Sequence, residues 1–166
     1  MKTLYLIRHS KSAVQMHNQE DFDRPLNERG KKDAEEMGKR LHKKNVKPDL
    51  IISSPALRAL KTSKLFATEI GYPEKNIRTD AAIYEANIDK LIGLIREIKD
   101  ENTKVFIFGH NPAFTGLVGY LTNTFLDNMP TSGVAQINFD LPTWKQVTAN
   151  SGKLSYFDFP KNQPAS

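Results

Sequence analysis

Five side chains of this 166-residue chain have the types needed for phosphoryl chemistry. Arg8 and His9 end the apolar part of "LYLIRHSKS", His110 follows the apolar run in "KVFIFGH", and Arg58 and Glu85 lie in "SSPALR" and "IYEAN". Arginine recognises phosphoryl oxygens through a permanent charge and paired donors. A neutral histidine can attack phosphorus and carry the group as a phosphohistidine. A carboxyl group could protonate the leaving group and then deprotonate water.

The elements that must position these residues alternate along the chain. Short apolar runs at 3–8, 50–53 and 104–109 predict strands that are buried on both faces, as in a parallel sheet. Further strands are predicted at about 134–139 and 154–159. The pattern indicates one α/β domain over residues 1–160, followed by a polar tail at 161–166.

Four helices are predicted between the strands, because apolar residues recur there at helical spacing. Asn27 is a predicted N-cap for the first helix, and Gly71 is a predicted stop for the second. The four apolar faces are Ala34, Met37 and Leu41; Leu57, Leu60, Phe66 and Ile70; Ile88, Leu91, Ile92, Ile95 and Ile98; and Phe114, Leu117, Val118, Leu121 and Phe125.

Two helix starts share one pattern. Ser54 and Asn111 are predicted N-caps, and Pro55 and Pro112 are predicted to occupy the first helical positions. Each pair directly follows a strand, so both helix N-termini should open at the carboxyl edge of the sheet. That edge is where open α/β folds bind ligands, and helix N-termini there favour anions. The arginines, histidines and carboxyl group should therefore meet at one site.

Composition narrows the function classes. The net charge is +5, with 24 basic and 19 acidic residues, but the basic residues are interspersed with acids, so no nucleic-acid partner is expected. No apolar run approaches the roughly 20 residues of a membrane span, and no secretory signal pattern is present. The chain has no cysteine for thiol chemistry or disulfides. We expect a cytoplasmic protein without a membrane partner.

The same residues also allow other interpretations. Two histidines could bind a metal, but they lack His-x-x-x-His spacing, and two arginines would repel a cation. No metal or organic cofactor is expected. Singly, each residue has a structural reading: His9 as a surface histidine, Arg58 as a solvated helix residue, Glu85 as a loop carboxylate. The segment "RPLNERG" is expected to form a turn and a helix start, with Arg24 or Arg29 paired to acids; a substrate contact is the weaker alternative. Only the complete set of these residues, in this order along the chain, favours a catalytic role.

Taken together, the motifs resemble the histidine phosphatase superfamily, also called phosphoglycerate mutase-like, and within it the SixA-type phosphohistidine phosphatases. The matching segments are "LYLIRHSKS", "DFDRPLNERGKKDA", "PDLIISSPALRALKTS", "IYEA", "GHNP", "PTSGVAQINFD" and "GKLSYFDFPK". The resemblance implies a three-layer α/β/α sandwich with a mostly parallel sheet and hydrolysis through a phosphohistidine. It implies that His9 is the nucleophile and that Glu85 is the proton donor. Phosphate would be bound by Arg8, Arg58, His110 and Ser12.

One residue departs from the family pattern, and the substrate stays open. Ser10 stands where the family usually has glycine, and it would be strained if the backbone there needs a positive φ.

The resemblance implies a phosphohistidine on another protein as substrate. A small phosphorylated metabolite is the enzymatic alternative, and a phosphate-recognising binding module is the non-enzymatic one.

Overall fold

A computed structural model describes residues 1–162. Its centre is a six-stranded sheet of order β3-β2-β4-β1-β5-β6. The strands are β1 (Lys2–Arg8), β2 (Leu50–Ser53), β3 (Arg78–Thr79), β4 (Lys104–Gly109), β5 (Val134–Phe139) and β6 (Gly152–Asp158). Strands β1 to β4 run parallel, whereas β5 is antiparallel to both of its neighbours. The predicted α/β class with a mostly parallel sheet is confirmed.

The helices form two layers, one on each face of the sheet. They are α1 (Glu28–Lys43), α2 (Leu57–Ile70), α3 (Ile88–Arg96) and α4 (Ala113–Thr122). Alternate side chains of β1 serve the two layers: Tyr5 and Ile7 pack with α1 and α2, whereas Leu4 and Leu6 pack with α3 and α4. Strands buried on both faces explain the continuous apolar runs in the sequence.

Several helix boundaries agree with the sequence signals. The Asn27 side chain accepts a hydrogen bond from the Gly30 amide at 2.7 Å and so caps α1. Gly71 ends α2 with a φ of 79°, in the left-handed region that glycine adopts readily.

The two predicted Ser-Pro and Asn-Pro helix starts are wrong in detail. Helix α2 begins at Leu57, because the Ser54 hydroxyl accepts from the Ala56 amide at 3.2 Å and makes a tight turn ahead of the helix. Helix α4 begins at Ala113, with Pro112 as its N-cap. Asn111 instead accepts hydrogen bonds from the Thr115 amide and hydroxyl, at 3.2 and 2.9 Å.

Three further differences lie outside the core. Phe125 is not part of the α4 face: the helix ends at Thr122, Asn123 has a φ of 56°, and Phe125 is 75% exposed. Strand β3 was missed, because its two residues are exposed and polar and leave no apolar pattern. Strand β6 begins two residues earlier than predicted, at Gly152.

Across residues 1–162, no helix combines the length and apolar character needed to cross a bilayer. Residues 163–166 of the predicted tail lie outside the described part of the chain. The domain limits and the cytoplasmic location stay predictions.

Candidate active site

The two histidines meet at the carboxyl edge of the central strands. The parallel register pairs Arg8 at the end of β1 with Gly109 at the end of β4, so His9 and His110 follow neighbouring strands. The His9 amide donates to the Gly109 carbonyl at 3.0 Å. The two imidazole rings lie 5.3 Å apart, centroid to centroid.

His9 is buried with one ring nitrogen already engaged. Its Nδ1 lies 2.7 Å from the Ser10 carbonyl oxygen, which can only accept, so Nδ1 carries the proton and Nε2 keeps its lone pair. Burial, foremost, lowers the pKa of His9 to about 3, with His110, Arg58 and Arg8 adding repulsion of a second positive charge. The imidazole is therefore neutral at physiological pH.

His110 is held by the turn that precedes α2. Its Nε2 lies 2.8 Å from the Ser54 hydroxyl. Burial and then the charge of Arg58 lower the pKa of His110 to about 4, although Asp21 opposes them. Ser54, which forms a turn ahead of α2 and does not cap the helix, therefore lies against His110, one of the residues predicted to bind phosphate.

Both predicted arginines line the same cavity as these histidines. Arg8 donates through Nη1 to the Met129 carbonyl at 2.8 Å. Arg58, only 6% exposed, donates through Nη1 and Nη2 to the backbone oxygen and the carboxylate of Asp21, at 2.9 and 3.0 Å. Within residues 1–162, Arg8 Nε, Arg58 Nε and His110 Nδ1 are buried nitrogens without a hydrogen-bond partner. Unpaired buried polar atoms are costly, so their concentration around one cavity points to a ligand site.

Asp21 is the site residue that sequence reasoning missed. It lies in a short 3-10 helix, Asp21–Asp23, and its carboxylate accepts from Arg58, Arg24 and Tyr84. Burial would raise the pKa of Asp21, but the Tyr84 hydrogen bond and the Arg58 and Arg24 charges lower it to about 2. The expected pairing of Arg24 with an acid is found here, and Arg29 pairs with Asp33 at 3.0 Å.

The cavity bounded by these residues measures about 380 Å³. Ser12, predicted to bind phosphate, lies on its wall, and its hydroxyl accepts from Arg24 Nη1 at 3.1 Å. The walls of the cavity contain four cationic side chains, Arg8, Lys11, Arg24 and Arg58, and no carboxylate. Such a cavity attracts anions.

Glu85 lies beside this cavity and not in it. It borders a neighbouring space of about 280 Å³ together with Tyr84, and both spaces share Arg58 and His110. Glu85 is exposed and has a φ of 59°, a left-handed conformation that is uncommon outside glycine and asparagine. Backbone strain of this kind is often found at functional sites.

Ser10 does not have the positive φ that glycine would require. Its amide donates to the Thr62 hydroxyl at 3.0 Å, and its own hydroxyl forms a short hydrogen bond with Ser132. Ser132 is the strained residue of the pair, with a φ of 61°, and its amide donates to the His9 carbonyl at 3.2 Å. The serine thus replaces the usual glycine without strain and ties the His9 segment to the start of β5.

Among the described residues, no group of three or more histidine, aspartate or glutamate side chains is placed to hold a metal ion.

A protein-family model described as the histidine phosphatase superfamily (branch 1) matches residues 4–113. An uncharacterised protein of Mycobacterium leprae is 29% identical over 167 residues, covering 93% of this chain and 100% of its own length.

Solved structures share the fold. SixA of Agrobacterium tumefaciens, assigned as a phosphohistidine phosphatase, superposes with a TM-score of 0.81 at 27% identity, covering 96% of this chain and 98% of its own. A protein histidine phosphatase SixA complexed with tungstate gives 0.82 at 20% identity, covering 96% and 98%. A mycobacterial glucosyl-3-phosphoglycerate phosphatase gives 0.64 at 16% identity, covering 93% and 97%. The last two likenesses concern the fold alone.

Proposed function

The chain belongs to the histidine phosphatase superfamily, and from that premise we propose that it hydrolyses a phosphorylated substrate through a phosphohistidine on His9. The family and its SixA neighbours support phosphatase activity. We further propose that the substrate is a phosphohistidine carried by another protein.

One observation carries the proposal: a neutral, buried imidazole faces a cavity whose walls are cationic. The Ser10 carbonyl fixes the His9 tautomer, and burial keeps the ring unprotonated, which is the form that can attack phosphorus. The three unpartnered nitrogens of Arg8, Arg58 and His110 border the same cavity. Phosphoryl oxygens would supply acceptors for them.

The reaction is proposed to proceed in two balanced steps. His9 Nε2 forms a bond to phosphorus while the bond from phosphorus to the leaving group breaks, and Glu85 supplies the proton for the departing atom. Water then attacks phospho-His9, Glu85 takes up its proton, and the P–N bond breaks to release orthophosphate and neutral His9. Arg8, Arg58 and His110 stabilise the charge on the equatorial oxygens in both steps.

A protein substrate is favoured by the surface near the site. The segment after the nucleophile has exposed apolar side chains, Val14 at 83% and Met16 at 68%, and Phe22 packs against Tyr84 beside the second cavity. Burial of these side chains against a protein substrate would remove apolar surface from water, which favours association. The name phosphohistidine phosphatase of the similar Agrobacterium protein supports the same substrate class.

Two alternatives remain in competition. A small phosphorylated metabolite is favoured by the glucosyl-3-phosphoglycerate phosphatase that shares the fold. A binding module without turnover would keep the cationic cavity but has no need of a neutral nucleophile.

The deciding experiment compares phosphate release from a phosphohistidine protein with release from a panel of phosphorylated metabolites and an aryl phosphate, each with wild type and His9→Ala. We expect the highest kcat/KM on the phosphohistidine protein and no turnover by His9→Ala. A metabolite hydrolysed far faster would support the first alternative, and tight phosphate binding without any turnover would support the binding module.

A further inference from the structure

Lys11 is a cation on the wall of the phosphate cavity that none of the proposed steps uses. Of the four cations there, Arg24 and Arg58 share the carboxylate of Asp21, and Arg8 and Arg58 are assigned to the transferred phosphoryl group. Among residues 1–162, the Lys11 ammonium has no hydrogen-bond or ion-pair partner. A dianionic phosphoryl group therefore leaves one positive charge at the cavity without a counter-charge.

The backbone of Lys11 is firmly placed. Its carbonyl accepts from the Asn27 amide at 3.0 Å, where α1 begins. Gly30 lies so close that a Cβ built on it would come within 2.1 Å of the Lys11 carbonyl oxygen, so only glycine permits this approach of helix and loop. The loop therefore presents the lysine from a fixed position, which reduces the ordering cost of binding.

A second space opens on the far side of Lys11. It measures about 170 Å³ and shares Lys11 and Thr131 with the phosphate cavity, so the two spaces adjoin. Pro130, Phe159 and Pro160 supply its apolar walls. Asp33 and Lys161 also border it. The Asp33 carboxylate is 3.0 Å from Arg29, so this acid is already paired with a cation other than Lys11.

The geometry and charge identify what fits this arrangement. A ligand that occupies both spaces would carry its phosphoryl group against His9, a negative group against Lys11, and an apolar group over Pro130 and Phe159. We infer that Lys11 is a specificity-determining residue that binds an acidic side chain flanking the phosphorylated residue of a protein substrate. This inference rests on the proposed function.

The test uses chemically phosphorylated histidine peptides that differ at one position. Glutamate, glutamine or lysine is scanned from two residues before to two residues after the phosphohistidine in an otherwise uncharged peptide. At the position that reaches Lys11, we expect kcat/KM for the glutamate peptide to exceed that for the glutamine peptide by roughly fivefold, the strength of a good partly exposed ion pair. The preference should shrink as salt is added, because the pair is partly exposed.

Substitutions of Lys11 test whether this residue causes the preference for the glutamate peptide. Lys11→Ala should reduce the ratio to about one, Lys11→Arg should restore it, and Lys11→Glu should favour the lysine peptide. Lys153→Glu, a charge reversal at an exposed site near the opposite edge of the sheet, should leave the ratio as in wild type. Each ratio compares two peptides on one enzyme, so it is insensitive to losses in overall rate.

The outcomes separate this inference from the proposed function. Turnover of all peptides with equal kcat/KM, or a preference that survives Lys11→Ala, would overturn the inference alone. A carboxylate preference confined to small molecules such as phosphoglycerate would overturn it as well. Absence of His9-dependent phosphate release from every peptide would overturn the proposed protein substrate and this inference together.

Discussion

Arg58 donates hydrogen bonds through both of its terminal nitrogens to Asp21, a residue 37 positions away in the chain. Helix α2 supplies the arginine, and the segment between β1 and α1 supplies the aspartate. Tyr84 donates to the same carboxylate, at 2.8 Å, and packs its ring 5.6 Å from that of His110. One carboxylate thus orients Arg58 directly and His110 through Tyr84.

Replacing Asp21 should disturb both groups. In Asp21→Asn, one amide oxygen must serve donors that had two carboxylate oxygens, and the charge that holds Arg58 is lost. We expect kcat/KM on an aryl phosphate to fall about tenfold, the low end of the loss seen when a supporting hydrogen bond is removed from a site. Asp23→Asn, in the same 3-10 helix, is the control. Equal rates for the two variants would argue against the orienting role.

Removal of the proposed nucleophile, His9, gives a sharper outcome. His9→Ala should lower kcat by at least about a thousandfold, as expected for a residue that forms the covalent intermediate. Rapid quenching of wild type with labelled substrate should show acid-labile phosphate on the protein. His17→Ala, which changes an exposed histidine, is the control and should behave as wild type. Turnover without any acid-labile phosphoprotein would contradict the covalent route.

Glu85 can be tested through the leaving group. For a substrate with a poor leaving group, Glu85→Gln should reduce kcat/KM by about a hundredfold, because kcat/KM reports the steps up to phospho-His9 formation and the leaving group there needs a proton. An aryl phosphate should be affected much less. Glu85→Gly removes the carboxyl group but suits the left-handed φ of 59°, so it should reproduce the pattern without strain. Equal losses on both substrates would indicate that the loop, and not the carboxyl group, matters.

The buried histidines predict a loss of stability in acid. Above about pH 6.5, both imidazoles are neutral in folded and unfolded chains, and their full contribution is present. Below that, the unfolded chain binds protons while folded His110 and His9 stay neutral down to about pH 4 and 3. The free energy of unfolding should fall by about 1.4 kcal/mol per pH unit for each histidine. Denaturant unfolding between pH 4.5 and 7 measures this slope.

The same measurement of unfolding free energy against pH can be repeated on a variant that lacks one of the two histidines. His9→Ala removes one of the two groups, so its free energy of unfolding should decline less steeply with falling pH than that of wild type, whatever its absolute stability. An unchanged slope would mean that folded His9 takes up its proton near its ordinary pKa.

The hydrogen-bonded pair of Ser10 and Ser132 beside His9 should contribute to stability. Ser10→Ala leaves the buried Ser132 hydroxyl without this partner and should cost about 1–2 kcal/mol of unfolding free energy. Because removing both hydroxyls leaves no unpaired group, Ser10→Ala/Ser132→Ala should cost less than the sum of the single changes. Strict additivity in denaturant titrations would exclude the coupling.

The residues around Arg8 and His9 explain why so much of the site could be predicted. Apolar runs buried on both faces identify β1 and β4, and parallel pairing forces whatever follows them, His9 and His110, to the same edge. The predicted convergence of Arg58 needed only a helix that follows β2. Strand order and helix layers are strongly constrained once these elements are known.

What could not be predicted depends on contacts without a periodic pattern. Asp21 lies in an irregular segment with other acids, and nothing in its spacing distinguishes it from the exposed Asp23. Ser54 matched an N-cap motif, but its hydroxyl caps a turn and contacts His110. Glu85 and Ser132 have positive φ values that only the packed loops reveal.

The pairing of Arg8 with Gly109 has a consequence for how this chain tolerates change in length. Successive residues of β1 face opposite layers, so one inserted or deleted residue within it would exchange the Leu4 and Leu6 face with the Tyr5 and Ile7 face. The same slip would place either Arg8 or Ser10 where His9 now stands beside His110. Insertions and deletions in β1 should therefore disrupt both the packing of the core and the geometry of the active site. The irregular segment before α1, in contrast, can vary in length as long as Asp21 still reaches Arg58.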